Sequence, residues 1–484
     1  MATIKQNFFF NTILNVSKVI FPLITAPYIA RVLAPEGVGI FNFACTYAGY
    51  FAMVAALGIP TYGIREIAKC RNDREKLTRL TSELVSISVL TTIAVSILYL
   101  LSIAFIQKLS ANAIVFLVIG VSLYLTPFSI DWYYSGLEEF RYITARSIII
   151  KALSVAAMFA FVKTRSDLII YVIINVFSGV LNNIWNYAKL LKSGIKPKFT
   201  VHGLKKHWSP ILILFASSVA ISVYTVLDTL MLGFMTEYSE VAYYSNAINI
   251  SKMLLAAITS FSAVAIPRIS IYLQNNNQEK VNELINKSFS MVSFIAFPAA
   301  VGLCCITPTF VPLFYGDQFY GTIIPLQILS FLIVAIGLNN LSGVQILIGY
   351  GKDKLFLYSV IIGATVNFIL NLFLIPRYGA SGASIASLSA ETIILIITML
   401  FAKWYTSAKL TQYLDIIKAS AATILFIPLI NLLKHSLSGW TLVFVFCVSG
   451  FFIYVLAEYI LKNSSLDFFF NVVKAFIQKH VKKN

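Results

Sequence analysis

The chain has 484 residues, of which 58% are hydrophobic and 12% charged, with a mean hydropathy of +0.83 and a net charge of +17. Its apolar residues come in runs of about 20, the length a helix needs to cross a bilayer, which excludes a soluble globular domain; a β-barrel would alternate polar and apolar residues instead. The basic excess is not read as a nucleic-acid surface, because lysine and arginine collect in the cytoplasmic loops of membrane proteins.

The first apolar run, 8–33, holds Lys18 near its middle, Arg31 near its far end, and Pro22 and Pro27 between them. A charge in mid-span costs at least about 2.5–3.5 kcal/mol and marks a cavity or a pathway. Proline removes a backbone donor, so this helix is expected to bend at Pro22–Pro27. Further spans are expected at 38–60, 83–106, 113–136, 146–163 and 167–190. They continue at 210–235, 240–265, 288–313, 321–348, 357–375 and 380–402, and end with 415–433 and 439–461. The tail, 463–484, reads as a basic amphipathic helix on the membrane surface, with Phe469, Val472, Val473 and Phe476 on one side. The fold class is therefore an all-α polytopic membrane protein with fourteen transmembrane helices.

With the N-terminus in the cytoplasm, 29 of the 37 lysines and arginines fall on the inner side and 5 on the outer. That bias places both ends in the cytoplasm. No extramembrane loop is long enough for a nucleotide-binding domain, so any energy must come from an ion gradient or from the substrate. Cys45, Cys70, Cys304, Cys305 and Cys447 lack metal-ligand spacing and read as apolar filler, with no disulfide framework. No small-residue cleavage site follows the first apolar run, so no removable signal peptide is expected.

The halves repeat at an offset of about 205–212 residues. Ile59-Pro60 matches Ile266-Pro267, Ser147-Ile-Ile-Ile matches Ser359-Val-Ile-Ile, and Gly136 and Gly349 leave the membrane at equivalent points. The expected domains are two six-helix bundles, 1–208 and 209–404, followed by two extra helices, 405–462, and the tail, 463–484. A duplication of this kind in a transporter places the substrate between the halves, which rock to give alternating access.

Lys18 and Lys252 fall near mid-membrane and Arg31 near the outer end, a cationic set suited to an anion such as phosphate. Asp228 and Glu391 either neutralise a lysine or bind a coupling ion, Na+ or H+. Arg65, Glu66, Asp131, Arg146 and Arg268 sit at span ends as gate candidates; headgroup contact is the alternative for Arg65, Glu66 and Arg268, and for Asp131, with Arg141 and Arg146, local capping or pairing is the preferred reading. No catalytic residue, metal site or cofactor is expected.

The phrases PYIARVLAPEGVGIFNFA, GIPTYGIREIAK and DWYYSGLEEFRYITARSIIIKALSV resemble the Wzx-type polysaccharide flippases of the MOP superfamily. The resemblance implies two six-helix bundles around a central cavity. It also implies flipping of an undecaprenyl-pyrophosphate-linked oligosaccharide across the bacterial inner membrane for surface polysaccharide biosynthesis, O-antigen included. The expected partners are that lipid-linked substrate, the bilayer and the polysaccharide polymerase machinery. The competing readings are a cation-coupled multidrug exporter of the MATE type, which would want more carboxylates than bases in its spans, and a membrane glycosyltransferase, which would want a catalytic extramembrane loop.

Overall fold

The computed structural model describes residues 4–406, 410–463 and 465–466, so the tail expected to be amphipathic lies almost wholly outside the described residues. Among those described, every regular element is a helix. Backbone groups in hydrocarbon have no water to bond, and a helix satisfies them within one segment. Nine of the described helices are long and apolar enough to cross a membrane, and two shorter apolar ones, Ala113–Phe128 and Val226–Met235, accompany them. The chain divides into two compact units, Met1–Ala242 and Tyr243–Asn484.

The first unit opens with α1 (Ile4–Ala56), which is broken at Ala34 (φ 58, ψ 173). That left-handed backbone suits glycine and costs any other residue about 1–3 kcal/mol. Pro35 follows and cannot donate to the preceding turn. The break at Ala34–Pro35 lies between the expected spans 8–33 and 38–60, and Pro22 and Pro27, where a bend was expected, keep helical backbone. Beside them the Thr25 hydroxyl donates to the Phe21 carbonyl at 3.1 Å, the kind of side-chain bond that accommodates proline in a span.

The short surface helix α2 (Ile59–Cys70) leads to α3 (Arg74–Phe105), capped by Asp73, which accepts the Lys76 amide at 3.1 Å. That amide and the Lys76 ammonium hold the Asp73 carboxyl below its ordinary range. After α4 (Gln107–Ser110), the fourth apolar region is irregular: α5 (Ala113–Tyr124), a 3-10 turn at Thr126–Phe128, then α6 (Asp131–Gly136). Two long helices, α7 (Phe140–Phe161) and α8 (Leu168–Lys192), complete the bundle, and α9 (Lys205–Met235) packs on α1 and α2.

The motifs at the start of the chain are packing devices. A Cβ on Gly39 would lie 1.7 Å from the Tyr238 carbonyl oxygen, and one on Gly63 would lie 2.5 Å from the Trp132 ring. Only glycine lets these backbones approach so closely. Around the first contact the rings of Phe43, Phe116 and Phe234 meet edge-on at 5.8 and 5.1 Å from Phe43.

α10 (Tyr238–Gln274) carries the chain into the second unit. There α11 (Gln278–Tyr315) packs against α12 (Ile323–Ser330), α13 (Leu332–Asn339), α15 (Leu410–Thr423), α16 (Phe426–Lys434) and α17 (Gly439–Ile460). The α13 helix runs on as a π-helical stretch, Asn340–Ile348, and α14 (Asp353–Ala402) breaks at Gly379 (φ 52, ψ −129).

Candidate functional site

Burying a charge in an apolar bundle is costly unless it is paired and hydrogen-bonded. In the first unit Arg146 meets that condition. It is 2% exposed, and its Nη2 donates to Asp131 Oδ1 at 2.9 Å. Its Nη1 donates to Asn186 Oδ1, and Asn186 Nδ2 donates to the same Asp131 oxygen at 2.7 Å. Three helices, α6, α7 and α8, are thus joined through one arginine.

Asp131 and Arg146 form part of the wall of a cavity of about 480 Å³. Ser88 of α3, Ser122 of α5, Thr126 and Ser129 between α5 and α6, Ser147 and Lys151 of α7, and Ser178, Asn182 and Asn183 of α8 line it as well. Two of its buried polar atoms, Arg146 Nε and Asn182 Oδ1, have no hydrogen-bond partner among the described residues. The Lys151 ammonium stands 5.6 Å from the centre of the Phe21 ring of α1, and Lys18 is within its electrostatic reach. A cavity so lined can take up a hydroxylated or anionic group, through donors, acceptors and a positive charge.

Asp131 and Arg146 are joined. Arg65 and Glu66 are also paired: Arg65 Nε and Lys69 Nζ donate to Glu66 at 3.1 and 2.8 Å on the surface of α2. Burial would raise the Glu66 carboxyl, but the Lys69 and Arg65 hydrogen bonds outweigh it and hold the group below its ordinary range. Exposed pairs of this kind are worth about 0–1 kcal/mol. Lys18 is exposed on α1, with its ammonium on Asn15 Oδ1 at 3.2 Å, and Arg31 is exposed on the same helix. Asp228 of α9 is buried at 6% exposure, while Lys252 and Arg268 are exposed on α10.

Glu391 is 7% exposed on α14, in the second unit. Asn339 Nδ2 donates to its Oε2 at 3.4 Å, and Thr398 Oγ1 donates to Asn339 Oδ1 at 3.2 Å. Ser342, inside the π-helical stretch, is 2.7 Å from the Thr398 hydroxyl. Buried π-helical turns often mark functional positions.

Three features escape a reading of the sequence by spans. Lys151 falls at a span end with other bases and looks like one more inner-side charge. Asn186 is an ordinary amide until the fold brings it to Arg146, 40 residues away. The third is a buried relay in the first unit: Tyr62 Oη lies 2.8 Å from His207 Nδ1, and His207 Nε2 lies 2.8 Å from Glu83 Oε2. Arg79 and Lys206 also bind Glu83, at 3.0 and 2.8 Å. The amides of Lys198 and Thr200 donate to Ser82 and Ser86 at 3.1 and 2.9 Å. Two residues along an extended chain span nearly the same length as four along a helix, so alternate amides meet one helix face. The connection from α8 to α9 is thereby fastened to α3.

Residues 4–273 match the family described as polysaccharide biosynthesis proteins, and residues 143–461 match the family described as lipid II flippase MurJ. An Escherichia coli K12 protein named "Putative O-antigen transporter" is 24% identical over 404 residues, covering 83% of this chain and 97% of that protein. Among solved structures, lipid II flippase MurJ in an inward closed conformation superposes with a TM-score of 0.74 at 16% identity, over 94% of this chain and 98% of that one. An inward-facing MATE multidrug resistance transporter of the MOP superfamily gives 0.61 at 13% identity, over 79% and 93%. The fold is that of MurJ- and MATE-like transporters.

Proposed function

This chain belongs to the polysaccharide biosynthesis protein family, the Wzx-type flippases of the MOP superfamily, and from that premise we propose that it flips an undecaprenyl-pyrophosphate-linked oligosaccharide from the inner to the outer leaflet of the bacterial inner membrane. The observation that carries this reading is the polar cavity held by Arg146, Asp131 and Asn186 inside an apolar helical unit. A chain built only to anchor or to scaffold has no use for a buried arginine beside eight hydroxyl and amide side chains, whereas a glycan headgroup crossing hydrocarbon requires such a lining.

Fourteen crossings with both ends cytoplasmic fit the basic-residue bias, and the breaks at Ala34 and Gly379 divide two of the long helices into pairs of spans. The irregular fourth region, Ala113–Gly136, and its counterpart, Ile323–Ile348, fit an internal duplication. Glu391, enclosed in a span with an amide partner, is the candidate for coupling to a Na+ or H+ gradient.

The test is export in cells. Lys18→Ala and Lys252→Ala each abolish surface polysaccharide while the protein still reaches the membrane, and lipid-linked oligosaccharide accumulates on the inner leaflet. Normal export in both variants overturns their assignment to the substrate path. A gain of drug resistance on overexpression, with export unaffected by deletion, would favour a MATE-type exporter instead.

A further inference from the structure

The first helix is fastened to α7 at two points. Thr144 Oγ1 of α7 donates to the Phe10 carbonyl of α1 at 2.9 Å, and Tyr28 Oη of α1 donates to the Val162 carbonyl at 2.6 Å. Both bonds join residues 134 apart, so the two helices run parallel and in step. A groove of about 280 Å³ follows α1 from the first of these bonds to Phe21, with Ile148 of α7 on its wall. Phe9, Ile13, Val16 and Ile20, spaced by four, three and four residues, fall on one face of α1 and line it. Three of them, Phe9, Val16 and Ile20, are about half-exposed, so the groove opens away from the core. Its lining is almost wholly apolar, and the hydroxyl of Ser17 on that wall turns to the Leu14 carbonyl at 2.7 Å.

The groove ends at the polar cavity. The Lys151 ammonium lies 5.6 Å from the centre of the Phe21 ring, itself part of the groove. On α7, Ser147 and Lys151 face the polar cavity while Ile148 faces the groove. Successive residues of a helix point about 100° apart, so α7 shows adjoining faces to the two spaces. No carboxylate stands within ion-pair distance of Lys151 among the described residues. A ligand that fills both spaces therefore has a long apolar part and an anionic head.

The depth of the cation decides which amphiphile this is. By the offset of 134, Lys151 is level with Ser17, nine residues or about 14 Å into the first span. A resident phospholipid keeps its headgroup at the membrane surface and would lay an acyl chain against this charge. A lipid in mid-crossing brings its headgroup to this depth and leaves its chain in hydrocarbon. The groove also follows a single helix stripe, a path for one chain, whereas a phospholipid carries two. We propose that the groove between α1 and α7 holds the polyprenyl chain of the substrate while its diphosphate passes Lys151. The assignment rests on the flipping of a lipid-linked glycan and adds where the lipid travels.

The experiment uses the full chain in vesicles of phosphatidylethanolamine and phosphatidylglycerol, with a photoreactive undecaprenyl diphosphate that carries a diazirine in its first isoprene units. Irradiation labels α1 between Phe9 and Phe21 and the Ile148 peptide of α7. Unlabelled undecaprenyl phosphate competes for the label, and added phosphatidylglycerol does not. Val16→Trp fills the groove and cuts the labelling several-fold with the unfolding midpoint unchanged, whereas Ile97→Trp, at a comparably exposed position of α3, leaves the labelling as it was. Lys151→Gln lowers labelling by the diphosphate probe several-fold but not labelling by the uncharged photoreactive polyprenol. Label spread evenly over the exposed helices, or displaced equally by phosphatidylglycerol, overturns the site. Glycan flipping with the groove unlabelled also overturns it and leaves the transport reading standing. A labelled groove in a protein that flips nothing sustains the prenyl site and removes the transport reading.

Discussion

Asp131→Ala abolishes export and destabilises the first unit by about 3 kcal/mol, because it strands a buried guanidinium. Arg146 is 2% exposed, and without Asp131 its guanidinium keeps, among the described residues, the neutral Asn186 and Ser147 oxygens and the Tyr142 ring but no carboxylate. The cost lies at the low end of the range for a broken buried pair, since the Asp131 side chain is 53% exposed and water reaches its place. The double variant Asp131→Ala/Arg146→Met removes both charges at similar volume, and such replacements are often neutral for stability. It therefore refolds to near wild-type thermal stability and still fails to export. Thermal unfolding of purified protein and cell-surface polysaccharide report the two effects separately. Export restored in the double variant would make the pair purely structural and remove the cavity from the transport path.

Glu391→Gln uncouples transport from the ion gradient. The substitution keeps shape and hydrogen-bonding capacity beside Asn339, so the network through Thr398 and Ser342 survives and the protein folds. On the proposed coupling role, it removes the carboxylate that would exchange a proton or Na+. One elementary charge moved through 100 mV is worth about 2.3 kcal/mol, roughly a 50-fold bias between leaflets. Vesicles containing wild-type protein show that bias when a gradient is imposed, whereas those with Glu391→Gln show the same flipping with and without it. Full gradient dependence in the variant would assign Glu391 to the structure of the π-helical turn.

What the sequence discloses, and what it hides, follows from the range of the forces involved. Span positions rest on hydropathy, a local property, and the long apolar helices lie where the apolar runs predict them. The Asp131–Arg146 pair was within reach because fifteen residues and one turn separate its members along a single motif. Its third member was not, since nothing local to Asn186 distinguishes it from Asn182 or Asn183. The same holds for Glu83 and His207, 124 residues apart. The break at Ala34 falls in the gap between the runs 8–33 and 38–60, so its place is legible from hydropathy, whereas the left-handed backbone at an alanine is imposed by the turn between two packed helices. Gly39 and Gly63 were visible as motif letters, but their role as contact points with Tyr238 and Trp132 required the fold.

The central claim is that this chain moves a lipid-linked glycan, and the most direct test is reconstitution of the purified protein in liposomes with a defined undecaprenyl-pyrophosphate-linked oligosaccharide. Flipping is scored by access of an external sugar-modifying enzyme to substrate that began on the other leaflet. Protein-dependent exposure of the glycan, absent with Asp131→Ala/Arg146→Met protein, is the predicted result. Exposure no faster than in protein-free liposomes, with and without Na+ and proton gradients, would contradict it.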